Sequence, residues 1–128
     1  MNETTSPINQ HTIEQAIETL GLAGAAVCLH SSLRSFGEVE GGADTVIDAF
    51  LSSGCTLLVP TFSESFEVAP DEDRHIERNG WDVIEAQSLP SKTDLVFSPE
   101  LNLIDADMGA ISQAVLERPG RLRGNHPL

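Results

Sequence analysis

Two short, nearly continuous apolar runs constrain this chain more than any other feature: Ala25-Ala26-Val27-Cys28-Leu29-His30 and Cys55-Thr56-Leu57-Leu58-Val59-Pro60. Each has the length of a strand and lacks polar alternation, the pattern of a strand buried on both faces. Between them Val46, Ile47, Phe50 and Leu51 recur at helical spacing, and Gly54 closes the segment. Strand, loop, helix and strand make a βαβ unit, whose two strands are expected to run parallel with a right-handed crossover. Ligands of such sheets gather at the carboxyl ends of the strands. Here those ends carry His30-Ser31-Ser32-Leu33-Arg34-Ser35 and Thr61-Phe62-Ser63-Glu64.

The flanking segments are read in the same way. Residues 1–10 are expected as a flexible lead-in, and 11–128 as one domain or part of a larger one. Thr12-Ile13-Glu14-Gln15 has the form of a capping box, Ile13, Ala16, Ile17 and Leu20 share one helical face, and Gly21 stops the helix. Residues 64–80 are an irregular acidic loop. Trp81–Ile84 and Asp94–Phe97 are expected as short strands. A last helix is expected with Asp107 as its cap, Ile111, Val115 and Leu116 on its inner face, and Pro119-Gly120 at its end.

Composition narrows the partners. The chain has 128 residues, enough for one core, and 40% of them are hydrophobic, too many for a disordered acidic tail. Its 20 acidic and 7 basic side chains give a net charge of -13. That balance argues against nucleic acid and anionic membranes and favours a cationic ligand. No apolar run is long enough to span a bilayer, and Met1–Pro7 has no signal-peptide form, so a cytoplasmic protein is expected. Cys28 and Cys55 read as reduced thiols packed as small hydrophobes. None of His11, His30, His75 and His126 is spaced as a metal pair, so no metal site is expected.

Two motifs carry chemistry. The stretch from His30 to Gly42 offers hydroxyls, the Arg34 guanidinium and the Gly41-Gly42 pair ahead of a helix. Those are the parts of a phosphate or pyrophosphate cradle, although a Ser/Gly-rich βα loop is as often a plain connection. It contains neither a Gly-Lys-Ser/Thr nor a Gly-x-Gly-x-x-Gly pattern. Pro60-Thr61-Phe62-Ser63 is a strand end bearing two hydroxyls, or equally a simple turn. The acidic residues from Glu64 to Glu77 could attract a polyamine, while a charge run is more often a solvated face. His30 suits a hydrogen-bonded structural role, and His126 either a catalytic or a loop-orienting one.

In combination these pieces become specific. His30 to Gly42, Gly54 to Ser63, Met108-Gly109-Ala110-Ile111-Ser112, Arg118-Pro119-Gly120 and Arg123-Gly124-Asn125-His126-Pro127 occur in order. From about Leu20 to Leu128 the series resembles the aminoglycoside 3-N-acetyltransferase family. Gly124 stands where many members have Ser, and Gln113 where they often have Glu, which bears on antibiotic specificity.

The resemblance implies an α/β, antibiotic N-acetyltransferase-like fold, a βαβ unit within a parallel or mixed central sheet, here an incomplete domain. It implies transfer of an acetyl group from acetyl-coenzyme A, without a metal, to an amine of a cationic aminoglycoside. It places the coenzyme along His30, Ser31, Ser32, Arg34, Ser35, Gly41 and Gly42, and the substrate near Thr61, Ser63, Glu64 and His126. A protonated amine cannot attack a thioester, so the reaction needs a general base and oxyanion donors. The family's base, a His assisted by an acid, is expected beyond Leu128, and no residue here is assigned as catalytic. The alternatives are a coenzyme-binding fragment without catalysis and an unrelated acidic α/β nucleotide-binding domain. A half-sheet leaves an open edge, so the isolated chain is expected to be loosely packed or to associate.

Overall fold

The computed structural model describes residues 6–67 and 94–127. The elements are helix α1 (Gln10–Thr19), strand β1 (Ala26–Cys28), helix α2 (Gly42–Ser52), strand β2 (Thr56–Leu58) and helix α3 (Gly109–Glu117). Short 3-10 turns lie at Leu33–Phe36, Glu64–Phe66 and Ala106–Met108. β1 and β2 pair in parallel, Ala26 with Thr56, Val27 with Leu57 and Cys28 with Leu58. The expected βαβ order and strand direction are therefore present.

Helix α2 is the centre of the core. Val46, Ile47, Ala49 and Phe50 are buried on it and meet Ile13 and Ile17 of α1, Cys55 and Ile111 of α3. Val27 and Leu57 close the cluster from the sheet. Leu51, expected on this face, is exposed. At 100° per residue it sits roughly 120° from the centre of the buried stripe, and Ala49 takes the inner position instead. On α1 only Ile13 and Ile17 are buried, while Ala16 and Leu20 face outward.

The strands are shorter and more open than expected. Ala26, Cys28, Thr56 and Leu58 are exposed, and only the middle residue of each strand turns toward α2. The apolar runs thus do not indicate burial on both faces here: one face is covered by α2, and the other leaves Leu58 64% exposed. Cys28 is an exposed thiol, whereas Cys55 is buried and donates to the Leu22 carbonyl at 3.2 Å.

Helix termini differ from the sequence expectation in their caps. Asn9, not Thr12, caps α1: its Oδ1 accepts from the Thr12 N–H at 3.0 Å. Residues 8–10, expected in the lead-in, are engaged, because Ile8 forms a parallel bridge with Val39, exchanging bonds with Glu38 and Glu40. Asp107 lies in the 3-10 turn before α3, and no side chain caps that helix. Asp94–Phe97 is irregular rather than a strand, and Phe97 instead meets Phe66 edge-on at 5.4 Å. The expected strand Trp81–Ile84 and most of the acidic loop lie outside the described residues.

Candidate functional site

The ladder continues one step past β1, where the Leu29 N–H donates to the Leu58 carbonyl at 2.8 Å. Beyond that point the two strands leave the sheet as separate loops. The β1 loop is anchored by Leu33, Phe36 and Val39, each partly buried against the core. Ser32, Arg34 and Ser35, interleaved with these anchors, are exposed. Hydrophobic fastening therefore presents the polar groups outward. The far end is held by the Ile8 bridge, and the chain then turns into α2 through Gly41 and Gly42, with φ of 79° and 67°. Two successive left-handed residues are accessible at low cost only to glycine. Thr45 Oγ1 donates to the Glu40 carbonyl at 2.5 Å and braces this turn.

The start of α3 passes beside the same loop. A Cβ at Gly109 would lie 3.8 Å from the Ser31 carbonyl oxygen. At its other end, Arg118 forks onto α2, with Nη1 2.7 Å from Asp48 and Nη2 3.0 Å from Asp44. The hydrogen bond to Asp48, more than any other influence, raises the Arg118 pKa above its usual value. This pairing ties α3 to the helix that begins at Gly42.

The β2 exit is built differently. Phe62–Glu64 lies between two segments: the Phe62 carbonyl accepts from Asp105 N–H at 2.9 Å, and the Ser63 N–H donates to the Pro127 carbonyl at 2.8 Å. Arg123 joins all three. Its Nη1 donates to the Leu101 carbonyl at 2.6 Å, and its Nη2 to the Thr61 and Leu103 carbonyls at 2.8 and 2.9 Å and to Ser63 Oγ at 3.0 Å. The guanidinium carbon stands 4.9 Å from the Phe97 ring centroid. Burial, followed by the neighbouring charge of Arg121, moves the Arg123 pKa down from its usual value. Arg121 itself donates to the Leu116 carbonyl and, at 2.9 Å, to Asn102.

Between the strand ends and the Gly124–Pro127 segment lies a cleft of about 350 Å³. His30, Thr61 and His126 line it together, along with Cys28, Leu58 and Phe62. Three of the expected site residues, drawn from segments up to 96 positions apart in sequence, thus share one cavity. Ser31, Ser32, Arg34 and Ser35 belong to the loop leaving it, and Gly41-Gly42 to the turn at that loop's end. Ser63 and Glu64 are directed elsewhere. Ser63 is fully buried, donating to the Leu103 carbonyl at 2.7 Å while accepting from Arg123, so its hydroxyl serves the framework. The Glu64 side chain is exposed outside the cleft, and its N–H donates to Asp105 Oδ2 at 2.8 Å.

Two contributors escaped the sequence reading. Cys28 lines the cleft because, among the described residues, the sheet is covered on one face only, which a continuous apolar run does not reveal. Arg123 was visible as one of three arginines in six residues, a density that signals fastening, but its partners are carbonyls and leave no charge pattern. A larger cavity, about 540 Å³, opens at the other end of the sheet between α1 and the end of α2, where His11, Glu14, Glu18 and Ser52 line it. Its Glu14 carboxylate is already engaged by Ser52 at 2.6 Å and Gln10 at 2.8 Å. Among the described residues no group of three or more His, Cys, Asp or Glu side chains is placed to hold a metal ion, and no helix is long and apolar enough to cross a membrane.

Comparison with known proteins agrees with this architecture. The family profile described as aminoglycoside 3-N-acetyltransferase matches residues 28–128. The SPbeta prophage-derived aminoglycoside N(3')-acetyltransferase-like protein YokD of Bacillus subtilis is 30% identical, over 99% of this chain and 46% of its own length. Aminoglycoside N(3)-acetyltransferase III of Salmonella is 32% identical over 92% of this chain and 40% of its own. The crystal structure of YokD superposes with a TM-score of 0.71 at 29% identity, covering 99% of this chain and 47% of that one. The chain spans less than half the length of these relatives. With its profile match over most of the sequence, the chain belongs to the aminoglycoside 3-N-acetyltransferase family.

Proposed function

We propose that this chain takes part in acetyl transfer from acetyl-coenzyme A to an amine of a cationic aminoglycoside, and that it supplies the coenzyme loop and one wall of the acceptor site. The observation that carries this reading is the cleft shared by His30, Thr61 and His126 at the carboxyl ends of two parallel strands. Ligands of parallel sheets bind at this end. The exposed Ser32, Arg34 and Ser35 extend outward from it, with Arg34 as the counter-charge for the coenzyme phosphates and Gly41-Gly42 allowing close backbone approach. His30 and Ser31 bridge the loop to the cleft. Thr61 and His126 contact the acceptor, and Glu64, outside the cleft, adds long-range attraction for a polycation. We assign no residue of this chain as general base. In this reading the chain needs no metal, acts in the cytoplasm, and belongs to a larger sheet that extends from β1 and β2.

The relatives' greater length favours a second reading, a coenzyme-binding fragment that does not turn over. Calorimetry with acetyl-coenzyme A and neomycin, followed by a thiol-release assay, separates the two. Binding of both ligands with neomycin-dependent thiol release supports the transferase. Binding of acetyl-coenzyme A without release supports the fragment, and binding of neither refutes both.

A further inference from the structure

Arg123 lies behind the cleft and hydrogen-bonds one of its lining residues, Thr61, through the backbone carbonyl. Arg123 bonds carbonyls of Leu101, Leu103 and Thr61 and the Ser63 hydroxyl, and its own backbone leads into the strap Gly124–Pro127. That strap is fastened back by Ser63 N–H to the Pro127 carbonyl, 2.8 Å away. The cleft wall carrying Thr61 and the wall carrying Gly124 and His126 are therefore joined by the Arg123 side chain at one end of the strap and by the Ser63–Pro127 backbone bond at the other. None of these bonds reaches the loop from Ser31 to Gly42.

We propose that Arg123 is a positioning residue for the acceptor amine: it sets the separation of Thr61 from His126 while leaving the coenzyme arm untouched. A planar fork that is held by four oxygens and lies over the Phe97 ring has one favourable geometry, and a flexible ammonium cannot reproduce it. Binding and catalytic groups lose effectiveness when their supports loosen by about 1 Å, by up to about 100-fold. The inference rests on the acetyltransferase reading above.

The test measures acetyl-coenzyme A and neomycin affinities by calorimetry for the wild type, Arg123→Ala and Arg123→Lys, with a thermal melt of each. The expected result is about a tenfold loss of neomycin affinity in Arg123→Ala, acetyl-coenzyme A affinity within about twofold of wild type, and Arg123→Lys in between. Where the alanine variant does not fold, the lysine variant decides by the same split. Parallel loss of both ligands in step with the melt, or unchanged neomycin affinity, overturns the positioning role while the functional reading stands. A wild type that binds neither ligand overturns the functional reading and the inference with it.

Discussion

Gly41→Ala tests the turn that joins the loop after β1 to α2. Gly41 has φ 79°, and a methyl group added there would fall well inside van der Waals distance of Thr45 Oγ1. Holding alanine in the left-handed region costs about 1–2 kcal/mol. Relieving the clash requires Thr45 to rotate away, which breaks its bond to the Glu40 carbonyl, a further loss of about 0.5–1.5 kcal/mol. The whole cost, about 1.5–3.5 kcal/mol, is a large part of the stability of a domain this size. Urea denaturation followed by far-UV circular dichroism should show a midpoint lowered by about 1 M. In a Thr45→Ala background the steric part vanishes, so the same substitution should cost only the backbone part, about 1–2 kcal/mol. Equal costs in the two backgrounds would refute the contact with Thr45. No cost in either would refute the left-handed turn itself.

Other consequences follow from single groups. Arg34→Ala should weaken acetyl-coenzyme A binding about tenfold, the loss expected for one charge-assisted contact, with an unchanged melting temperature because Arg34 is exposed; equal affinity by calorimetry would remove it from the site. A thiol reagent should label Cys28 rapidly and Cys55 only on unfolding, and acetyl-coenzyme A or neomycin in the cleft should slow Cys28, as read by mass spectrometry. Ser52, and secondarily Gln10, hydrogen-bonds the Glu14 carboxylate and holds its pKa below the ordinary value. A depressed carboxyl pKa stabilises the fold above the unfolded pKa and stops doing so as pH falls through the folded one. The melting difference between wild type and Ser52→Ala should therefore be present at neutral pH and close below about pH 4; a constant difference would contradict the cause. If the chain acts on a cationic aminoglycoside as proposed, neutralising Glu64, Glu67 and Asp71–Asp73 together should raise its KM more at low salt than at high; an unaltered KM would remove these acids from substrate attraction.

What the sequence made legible and what it did not divide along physical lines. The βαβ order was readable because Val46, Ile47 and Phe50 follow a 3.6-residue period between two unbroken apolar runs, and local periodicity reports local structure. The single covered face of the sheet was not readable. Cys28 and Leu58 look the same in sequence whether or not another layer packs on them, because that layer belongs to tertiary structure. Asn9 took the cap from Thr12 because both residue types can accept the free N–H groups, and the Ile8–Val39 bridge fixed which one stands at the helix start. At the site, the loop motif singled out Arg34 and Gly41-Gly42, and the fold leaves Arg34 exposed and places the glycine pair in the left-handed turn before α2. It could not show that the Ser63 hydroxyl would be consumed internally by Leu103 and Arg123, partners 40 and 60 residues away.

The most direct measurement is an amide chemical-shift titration of the isotopically labelled chain with acetyl-coenzyme A. The account predicts shifts concentrated at His30–Ser35 and Gly41-Gly42, at the carboxyl ends of the strands. Shifts confined to the larger cavity around His11, Glu14 and Ser52, or none at all, would contradict it.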